Sequence, residues 1–285
     1  MSDKTKGMLC IIASAFCFAL MNLFVRLAGD LPSVEKSFFR NAVAAIIAAV
    51  ALIKNHESFM WHKGCLPGLI LRAAFGTMGI LCNFYAIDHL VISDASMLNK
   101  MSPFFAVIFS CFIMNEKVSL FRALVIAAAF IGSLFIIKPT PALLDPASLV
   151  GLLGGLGAGI AYTMVRYLTA RGERKTYIVF FFSAFSCIVT LPFLIFGYVP
   201  MSWKQLLMLI FAGISAAGGQ FTITAAYSYA PAREISVFDY TQIIFAAALG
   251  FFVLGQIPDS LSVIGYIVIC SASVIMFFHN RREGA

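Results

Sequence analysis

Residues 7–28 read GMLCIIASAFCFALMNLFVRLA, and Arg26 is the only charged side chain in this apolar stretch. A helix needs about 20 such residues to cross a hydrocarbon core of ~30 Å. Similar stretches recur along the 285-residue chain, which is 61% hydrophobic and 12% charged, whereas soluble proteins are about 45–50% apolar and about 25% charged. The sequence therefore predicts an integral membrane protein. The first stretch is too long for the apolar region of a signal peptide, so we expect it to be a retained span.

Charge, cysteine and motif usage exclude several classes of protein. The net charge is +7, but the basic residues are spread over short segments between apolar stretches, so we expect no nucleic-acid partner. The seven cysteines form no CxxC pair, and all except Cys65 lie inside apolar stretches, which is typical of small core residues. The four histidines are too scattered for a metal site, and no HExxH, GxSxG or Walker-type loop occurs. We therefore expect no catalytic residue, metal or cofactor.

Polar and Pro/Gly clusters divide the chain into ten predicted spans. These are residues 7–28, 34–54, 67–88, 94–114, 119–138, 148–169, 176–198, 204–229, 234–255 and 260–279. All connections are short, so function is expected within the bundle. With the N-terminus inside, twelve of the twenty Lys and Arg residues lie on the inner side and four on the outer side, which predicts a cell-membrane protein with both termini cytoplasmic.

The two halves of the chain resemble each other weakly. A shift of 140 residues aligns residues 94–96 with 234–236 and Phe105 with Phe245, and a shift near 144 aligns Gly7 with Gly151. Because each half has five spans, an odd number, the second half must run opposite to the first. We therefore predict an all-α membrane protein of two inverted five-helix repeats, residues 1–140 and 141–285. Substrate sites in such proteins commonly lie between the repeats, near mid-membrane.

Matched motifs in both halves carry a family resemblance. EKSFFR occupies residues 35–40, SPFF occupies 102–105 and Asn-Glu follows at 115–116, while the second half has FDY at 238–240 and GQIP at 255–258. Over nearly the whole chain the sequence resembles the drug/metabolite transporter superfamily, specifically its ten-helix EamA-type branch. Gln256 stands where such proteins usually have Glu. The resemblance implies an alternating-access carrier with a central cavity lined mainly by spans one, three, four, six, eight and nine. It also implies that some members of the family export amino acids and metabolites, and that others import compounds such as nucleotide-like cofactors and choline.

Ionisable residues inside spans are the main candidate site residues, because an unpaired charge in a membrane is costly. Lys100 either binds an anionic substrate group, pairs with a carboxylate or snorkels to the surface. Asp239, which the 140-residue shift matches to Asn99, either binds a substrate amine, carries a proton or pairs with a neighbour such as Arg166. Gln242 lies on the same helix face as Asp239.

The other candidate substrate-binding residues are polar or aromatic side chains within the spans: Asn22, Asn83, Asn99, Tyr162, Gln220, Tyr227 and Tyr240. Each of the amides either contacts a substrate or hydrogen-bonds to a neighbouring helix. Arg40 is expected to pair with Glu35, and Arg72 is expected to be interfacial. Glycines four residues apart in span six predict close backbone approach.

We therefore predict a secondary carrier for a small polar or zwitterionic, amino-acid-like metabolite, with export favoured and the proton as candidate coupling ion. One alternative is uptake of a cationic or cofactor-like nutrient on aromatic side chains. A more distant alternative is a membrane-embedded lipid-modifying enzyme, which would need a nucleophile, a metal or paired carboxylates.

Overall fold

The computed structural model describes residues 3–89, 98–137, 146–255 and 260–283, and in this part of the chain the regular elements are all helical. Ten of these helices have at least 13 residues. They are α1 (Asp3–Leu27), α2 (Ser33–Lys54), α3 (Leu66–His89), α4 (Ser102–Met114), α5 (Leu120–Ile137), α6 (Pro146–Ala170), α7 (Lys175–Gly197), α8 (Trp203–Tyr229), α9 (Thr241–Leu254) and α10 (Ser260–Glu283). By length and composition, seven helical segments are suited to cross a membrane, and three shorter apolar helices accompany them. The predicted all-α, ten-helix membrane fold is confirmed.

Two of the predicted spans are not continuous helices. A four-residue helix, Ala232–Ile235, and a 3-10 segment, Ser236–Tyr240, precede α9. In span four, a turn at residues 100–101 precedes α4. Pro103 lies in the first turn of α4, where a missing N–H breaks no intrahelical hydrogen bond, so this proline starts a helix and does not kink one. Residues 94–96, which align with residues 234–236 of the second half, lie outside the described residues. Gln256, which stands where the family usually has Glu, also lies outside them.

Helix packing has the symmetry expected of inverted repeats. The packing of α1 on α8 corresponds to that of α6 on α3, and the packing of α4 on α6 corresponds to that of α9 on α1. The pairs α2–α7 and α5–α10 each join a helix to its own counterpart. Exchanging the two halves therefore maps these contacts onto one another. The repeat boundary at residues 140–141 remains a prediction, because it falls outside the described residues.

Two close crossings show the same correspondence at the level of single residues. The Ser14 hydroxyl donates to the Gly219 carbonyl at 3.0 Å where α1 crosses α8. Where α3 crosses α6, a Cβ atom added to Gly79 would lie 3.1 Å from the Ala158 backbone nitrogen. Ser14 and Ala158 are 144 positions apart, and Gly79 and Gly219 are 140 apart. These spacings are the two shifts that align the halves of the sequence.

The glycine face of α6 packs against the backbone that leads into and forms α4. A Cβ atom on Gly155 would lie 2.5 Å from the Leu98 carbonyl oxygen, and one on Gly159 would lie 2.9 Å from the Ala106 nitrogen. Both distances are too short for a side chain. The predicted close backbone approach at these glycines is therefore present, and it holds α4 in place beside the centre of the bundle.

The two ends of the bundle are packed differently. We call the end that holds residue 3 and the connections after α2, α4, α6 and α8 the N-terminal face. α6 and α8 pack together, with contacts near this face, whereas the counterpart helices α1 and α3 have no packing of similar extent within the described residues. The bundle is therefore closed more tightly at its N-terminal face.

Candidate functional site

The turn before α4 and the 3-10 segment before α9 meet inside the bundle. The Lys100 ammonium lies 2.6 Å from the Gln242 side-chain oxygen and 3.4 Å from Asp239 Oδ2. The Tyr240 hydroxyl donates to the Lys100 carbonyl at 3.1 Å. Lys100 and Tyr240 are 140 positions apart, so they are counterparts under the repeat shift. Their direct contact means that the two repeats meet at this point.

Lys100 and Asp239 form a buried ion pair. Their exposed fractions are 6% and 4%. Of the alternatives for Lys100, the structure therefore shows pairing with a carboxylate, and it rules out snorkelling to the surface. Arg166, which was one of the alternative partners for Asp239, instead pairs with Glu116 at 3.7 Å. Gln242 joins the pair, as its position on the same helix face suggested.

The local sequence stabilises the 3-10 segment with hydroxyl side chains. Ser236 Oγ donates to the Ala232 carbonyl at 2.6 Å, and Thr241 Oγ1 donates to the Phe238 carbonyl at 2.7 Å. The Ala232 and Phe238 carbonyls also accept the backbone N–H groups of Ser236 and Thr241, so the hydroxyls add second hydrogen bonds at the two ends of the 3-10 segment. The Asp239 carbonyl, in turn, lies 3.5 Å from Lys100 Nζ. Broken helices of this kind commonly form the substrate and ion sites of secondary transporters.

Arg72 is part of a second polar cluster in the interior. One of its terminal nitrogens donates to the Gln220 side-chain oxygen at 2.9 Å, and its guanidinium lies 4.1 Å from the centre of the Phe182 ring. It is only 2% exposed, so the prediction that it is interfacial was wrong. Arg72 shares a helix face with Gly76 and Gly79, and this small-residue face packs inward. Gln220 takes the helix-bridging role that was one of its two predicted alternatives.

Arg40 is also buried, and its predicted pairing with Glu35 was wrong. Its Nε donates to the Met21 sulfur at 2.9 Å, and Nη1 lies 3.5 Å from the Asn41 side-chain oxygen. Glu35 instead accepts from the backbone N–H of Val199. Five residues correspond to a rotation of about 140° around an α-helix. Glu35 and Arg40 therefore point to different sides of α2.

Tyr162 is the tyrosine of the candidate set that remains partly accessible. Its ring stacks on Tyr227 with centroids 5.2 Å apart. Its hydroxyl lies within electrostatic range of Asp239, Arg72 and Arg40. Tyr227 and the Tyr240 side chain are fully enclosed by protein. The three tyrosines therefore do not form an open aromatic cage, and the cationic-nutrient alternative gains no support from them.

The three asparagines of the candidate set occupy different environments. Asn99 is half-buried beside Lys100, Asn83 is half-buried near the crossing of α3 and α6, and Asn22 is exposed on α1. Within the described part of the chain, neither Asn22 nor Asn83 has a side-chain hydrogen bond to Lys100 or Asp239. These two remain candidate residues on the strength of the sequence alone.

Arg40 and Arg72 are the buried charged residues that sequence reasoning left out of the candidate site. For Arg72 a signal existed, because its spacing of four and seven residues from Gly76 and Gly79 places it on the face of α3 predicted to pack closely. For Arg40 the sequence holds no comparable signal, because its contact with Met21 depends on how α1 and α2 lie together.

Ion pairs join the two repeats at the N-terminal face. Glu116, after α4, lies 3.7 Å from Arg166 on α6. Glu234, in the short helix before the 3-10 segment, lies 3.8 Å from Lys4 and 3.7 Å from Arg122. Arg166 also donates to the Ser228 carbonyl on α8 at 3.1 Å. Of these contacts, the one from Arg166 to Ser228 joins α6 to α8, the helix pair that closes this face.

Glu173 links the connection after α2 to the connection after α6 at the N-terminal face. Burial opposes ionisation of its carboxyl, but hydrogen bonds from the backbone N–H groups of His62 (2.8 Å) and Arg174 (3.0 Å) outweigh burial and hold the pKa of Glu173 below its usual value. A lowered carboxyl pKa stabilises the fold above the unfolded-state pKa, and this contribution is lost as the pH falls through the folded-state value. The link is therefore intact at neutral pH.

A separate cavity of about 370 Å³ lies between α2, α3, α6 and α7. The surface that faces this cavity is almost entirely apolar. The lining residues are Ser33, Val34, Leu81, Cys82, Tyr85, Val150 and Phe193. A polar metabolite would find few hydrogen-bond partners there. The charged groups around Lys100, Asp239, Arg72 and Arg40 are the better candidate site.

Comparison with known proteins identifies the family. The EamA-like transporter family matches this sequence twice, at residues 5–138 and 146–278. The chain belongs to this family. The pseudopaline exporter of Pseudomonas aeruginosa is 31% identical over 274 residues, covering 95% of each chain. The S-adenosylmethionine uptake transporter of Rickettsia prowazekii is 22% identical, covering 99% of this chain and 97% of its own.

A solved crystal structure supports the fold of this EamA-like transporter. It superposes with a TM-score of 0.85, covers 99% of both chains and shares 14% sequence identity, so it supports the architecture alone. Together, the family and the relatives show that the protein is a multi-pass membrane transporter for a small metabolite.

Proposed function

We propose that this EamA-like transporter is a secondary active carrier that moves a small polar, amino-acid-like metabolite by alternating access, with export favoured. The observation that carries the proposal is the buried cluster of Lys100, Asp239 and Gln242 at the meeting point of the two repeats. Charged side chains inside a membrane are expensive, so they are typically retained where they bind substrates or ions.

Asp239 is the group that would recognise the substrate amine. A buried carboxylate needs a positive partner or a proton, and Lys100 supplies that partner at 3.4 Å in this structure. An arriving ammonium group would replace Lys100 beside Asp239, and a proton would also neutralise the carboxylate. This competition makes Asp239 the candidate coupling site as well as the amine site.

The unequal packing at the two ends supports alternating access. Contacts between α6 and α8 close the N-terminal face, and exchanging the roles of the two repeats would instead pack α1 on α3 and open that face. Inverted repeats permit this exchange at small energetic cost because the two conformations use equivalent contacts. The substrate would then meet alternate sides of the membrane at one site.

Export is favoured by the relatives. The relative with 31% identity is named as an exporter, and the relative with 22% identity is named as an uptake transporter. The greater similarity to the exporter supports the outward direction for this chain.

Counterflow into proteoliposomes tests the proposed function. Vesicles containing the purified protein and preloaded with single proteinogenic amino acids should accumulate the matching radiolabelled compound from outside, and empty vesicles should not. Choline in the same assay tests the nutrient alternative. If folded protein moves choline but none of the amino acids, the proposal is wrong.

We propose an inner-membrane location with both termini in the cytoplasm, on the basis of the Lys and Arg distribution. A reporter fused after Ala285 should be active in the cytoplasm, and one fused after Pro141 should be active outside. An external C-terminus would contradict this orientation.

A further inference from the structure

Two buried arginines in the first repeat have no acidic partner among the described residues. Arg40 and Arg72 are 3% and 2% exposed. The ion pairs of the described chain join other residues, and Glu35 is bonded to Val199. A guanidinium stays protonated in proteins. Two such groups in a membrane interior create a strong demand for an anion.

The groups that surround the two arginines are neutral. Arg40 contacts the Met21 sulfur and the Asn41 amide oxygen, and Arg72 contacts the Gln220 amide oxygen. The Nε atom of Arg72 is buried without a hydrogen-bond partner. A guanidinium has five N–H donors in a planar fork that matches a carboxylate. Donor capacity and positive charge therefore both remain available.

The two arginines and Asp239 belong to one electrostatic environment. The positive charges of Arg40 and Arg72 repel each other, and the hydroxyl of Tyr162 lies within electrostatic range of both arginines and of Asp239. Tyr162 is half-buried, so this region is not sealed by protein. The two arginines and Asp239 therefore all lie near one partly accessible tyrosine, Tyr162.

We infer that Arg40 and Arg72 form the subsite for the substrate's carboxylate, while Asp239 takes its amine. This inference rests on the proposed function and narrows the substrate class to molecules that carry both groups. Before substrate arrives, Lys100 is paired with Asp239, so the two arginines are the buried cations of this region that an incoming carboxylate meets without an acidic partner among the described residues.

Acetate, the smallest carboxylate probe, tests the subsite without knowledge of the substrate. Acetate should raise the melting temperature of the purified protein, and the rise should saturate with acetate concentration. Its neutral isostere acetamide should leave the melting temperature unchanged, and chloride should raise it less than acetate does. Arg40→Lys and Arg72→Lys keep the charge but lose the planar fork, so each should bind acetate roughly tenfold more weakly. Arg40→Gln and Arg72→Gln should remove the shift. Arg171→Gln is the matched control, because Arg171 stacks on Tyr167 near the N-terminal face.

The outcomes separate this inference from the proposed function. An acetate shift that is unchanged in both Lys variants overturns the subsite, even if amino acids are transported. Chloride that matches acetate shows an inorganic-anion site and also overturns it. If acetate binding depends on both arginines but no amino acid is transported, the proposed function is wrong. In the supporting case, the methyl ester of a transported amino acid should fail to compete with it.

Discussion

Asp239→Asn should abolish transport and also destabilise the folded protein. The replacement leaves the Lys100 ammonium, only 6% exposed, without its carboxylate partner. Removing one member of a buried ion pair typically costs roughly 3–5 kcal/mol, because the remaining charge is uncompensated. Lys100→Met should be destabilising for the same reason. The double variant Lys100→Met/Asp239→Asn should regain most of the stability, since neither charge is then buried, but it should not regain transport.

A double-mutant cycle tests this prediction. Thermal unfolding and counterflow are measured for the wild type, for the two single variants and for the double variant. Asp30→Asn is the matched control, because Asp30 is exposed in the connection after α1; it should retain both stability and transport. If the stability loss of the double variant equals the sum of the losses of the two single variants, Lys100 and Asp239 are not coupled. Near-normal transport by Asp239→Asn would remove Asp239 from the site.

Sequence reasoning alone predicts a different result for Asp239→Asn and for Lys100→Ala, namely abolished or altered transport with the yield of folded protein nearly intact. That expectation treated Lys100 and Asp239 as separate cavity groups. The 3.4 Å contact between them changes it, because the two charges now stabilise each other inside the bundle.

Arg166→Gln should shift the transporter toward the conformation that is open at the N-terminal face. The change removes the 3.7 Å ion pair with Glu116 and the 3.1 Å hydrogen bond to the Ser228 carbonyl. A hydrogen bond from a charged donor contributes about 1.5–3 kcal/mol, which corresponds to a roughly 10- to 100-fold change in the conformational equilibrium. Both lost contacts lie at the closed N-terminal face. The population of the conformation that is open at this face should therefore increase by that factor.

Hydrogen exchange measured on both faces reports this shift. Backbone amides at residues 115–119 and 228–235 should exchange faster in Arg166→Gln, while amides at residues 28–33 and 198–202 become more protected as the opposite face closes. Arg171→Gln should leave both regions unchanged. Faster exchange at the N-terminal face without protection at the other face would indicate local loosening, and it would contradict a shared two-state transition.

The membrane architecture was predictable because it depends on local properties of the chain. The length and hydrophobicity of each stretch predict where it crosses a membrane, and the described helices begin and end within a few residues of eight of the ten predicted spans. The odd number of spans per half predicts inversion without knowledge of any contact. The exceptions are spans four and nine, which contain a turn at residues 100–101 and a 3-10 segment at Ser236–Tyr240. Hydrophobicity does not predict these interruptions, because a helix, a turn and a 3-10 segment of the same composition are equally apolar.

Local properties of the chain are enough to predict ten apolar helices in two inverted repeats, with Lys100 and Asp239 inside spans. Which of the buried charges are neutralised depends instead on how distant helices pack. The decisive contacts join residues 139 and 148 positions apart, Lys100 with Asp239 and Arg72 with Gln220. Helical periodicity predicts the face on which a side chain lies, but its partner is set by how distant helices pack. Among the described residues, that packing gives Arg40 and Arg72 no acidic partner. The sequence alone, by contrast, predicts Glu35 beside Arg40, and it predicts Arg72 at the membrane interface.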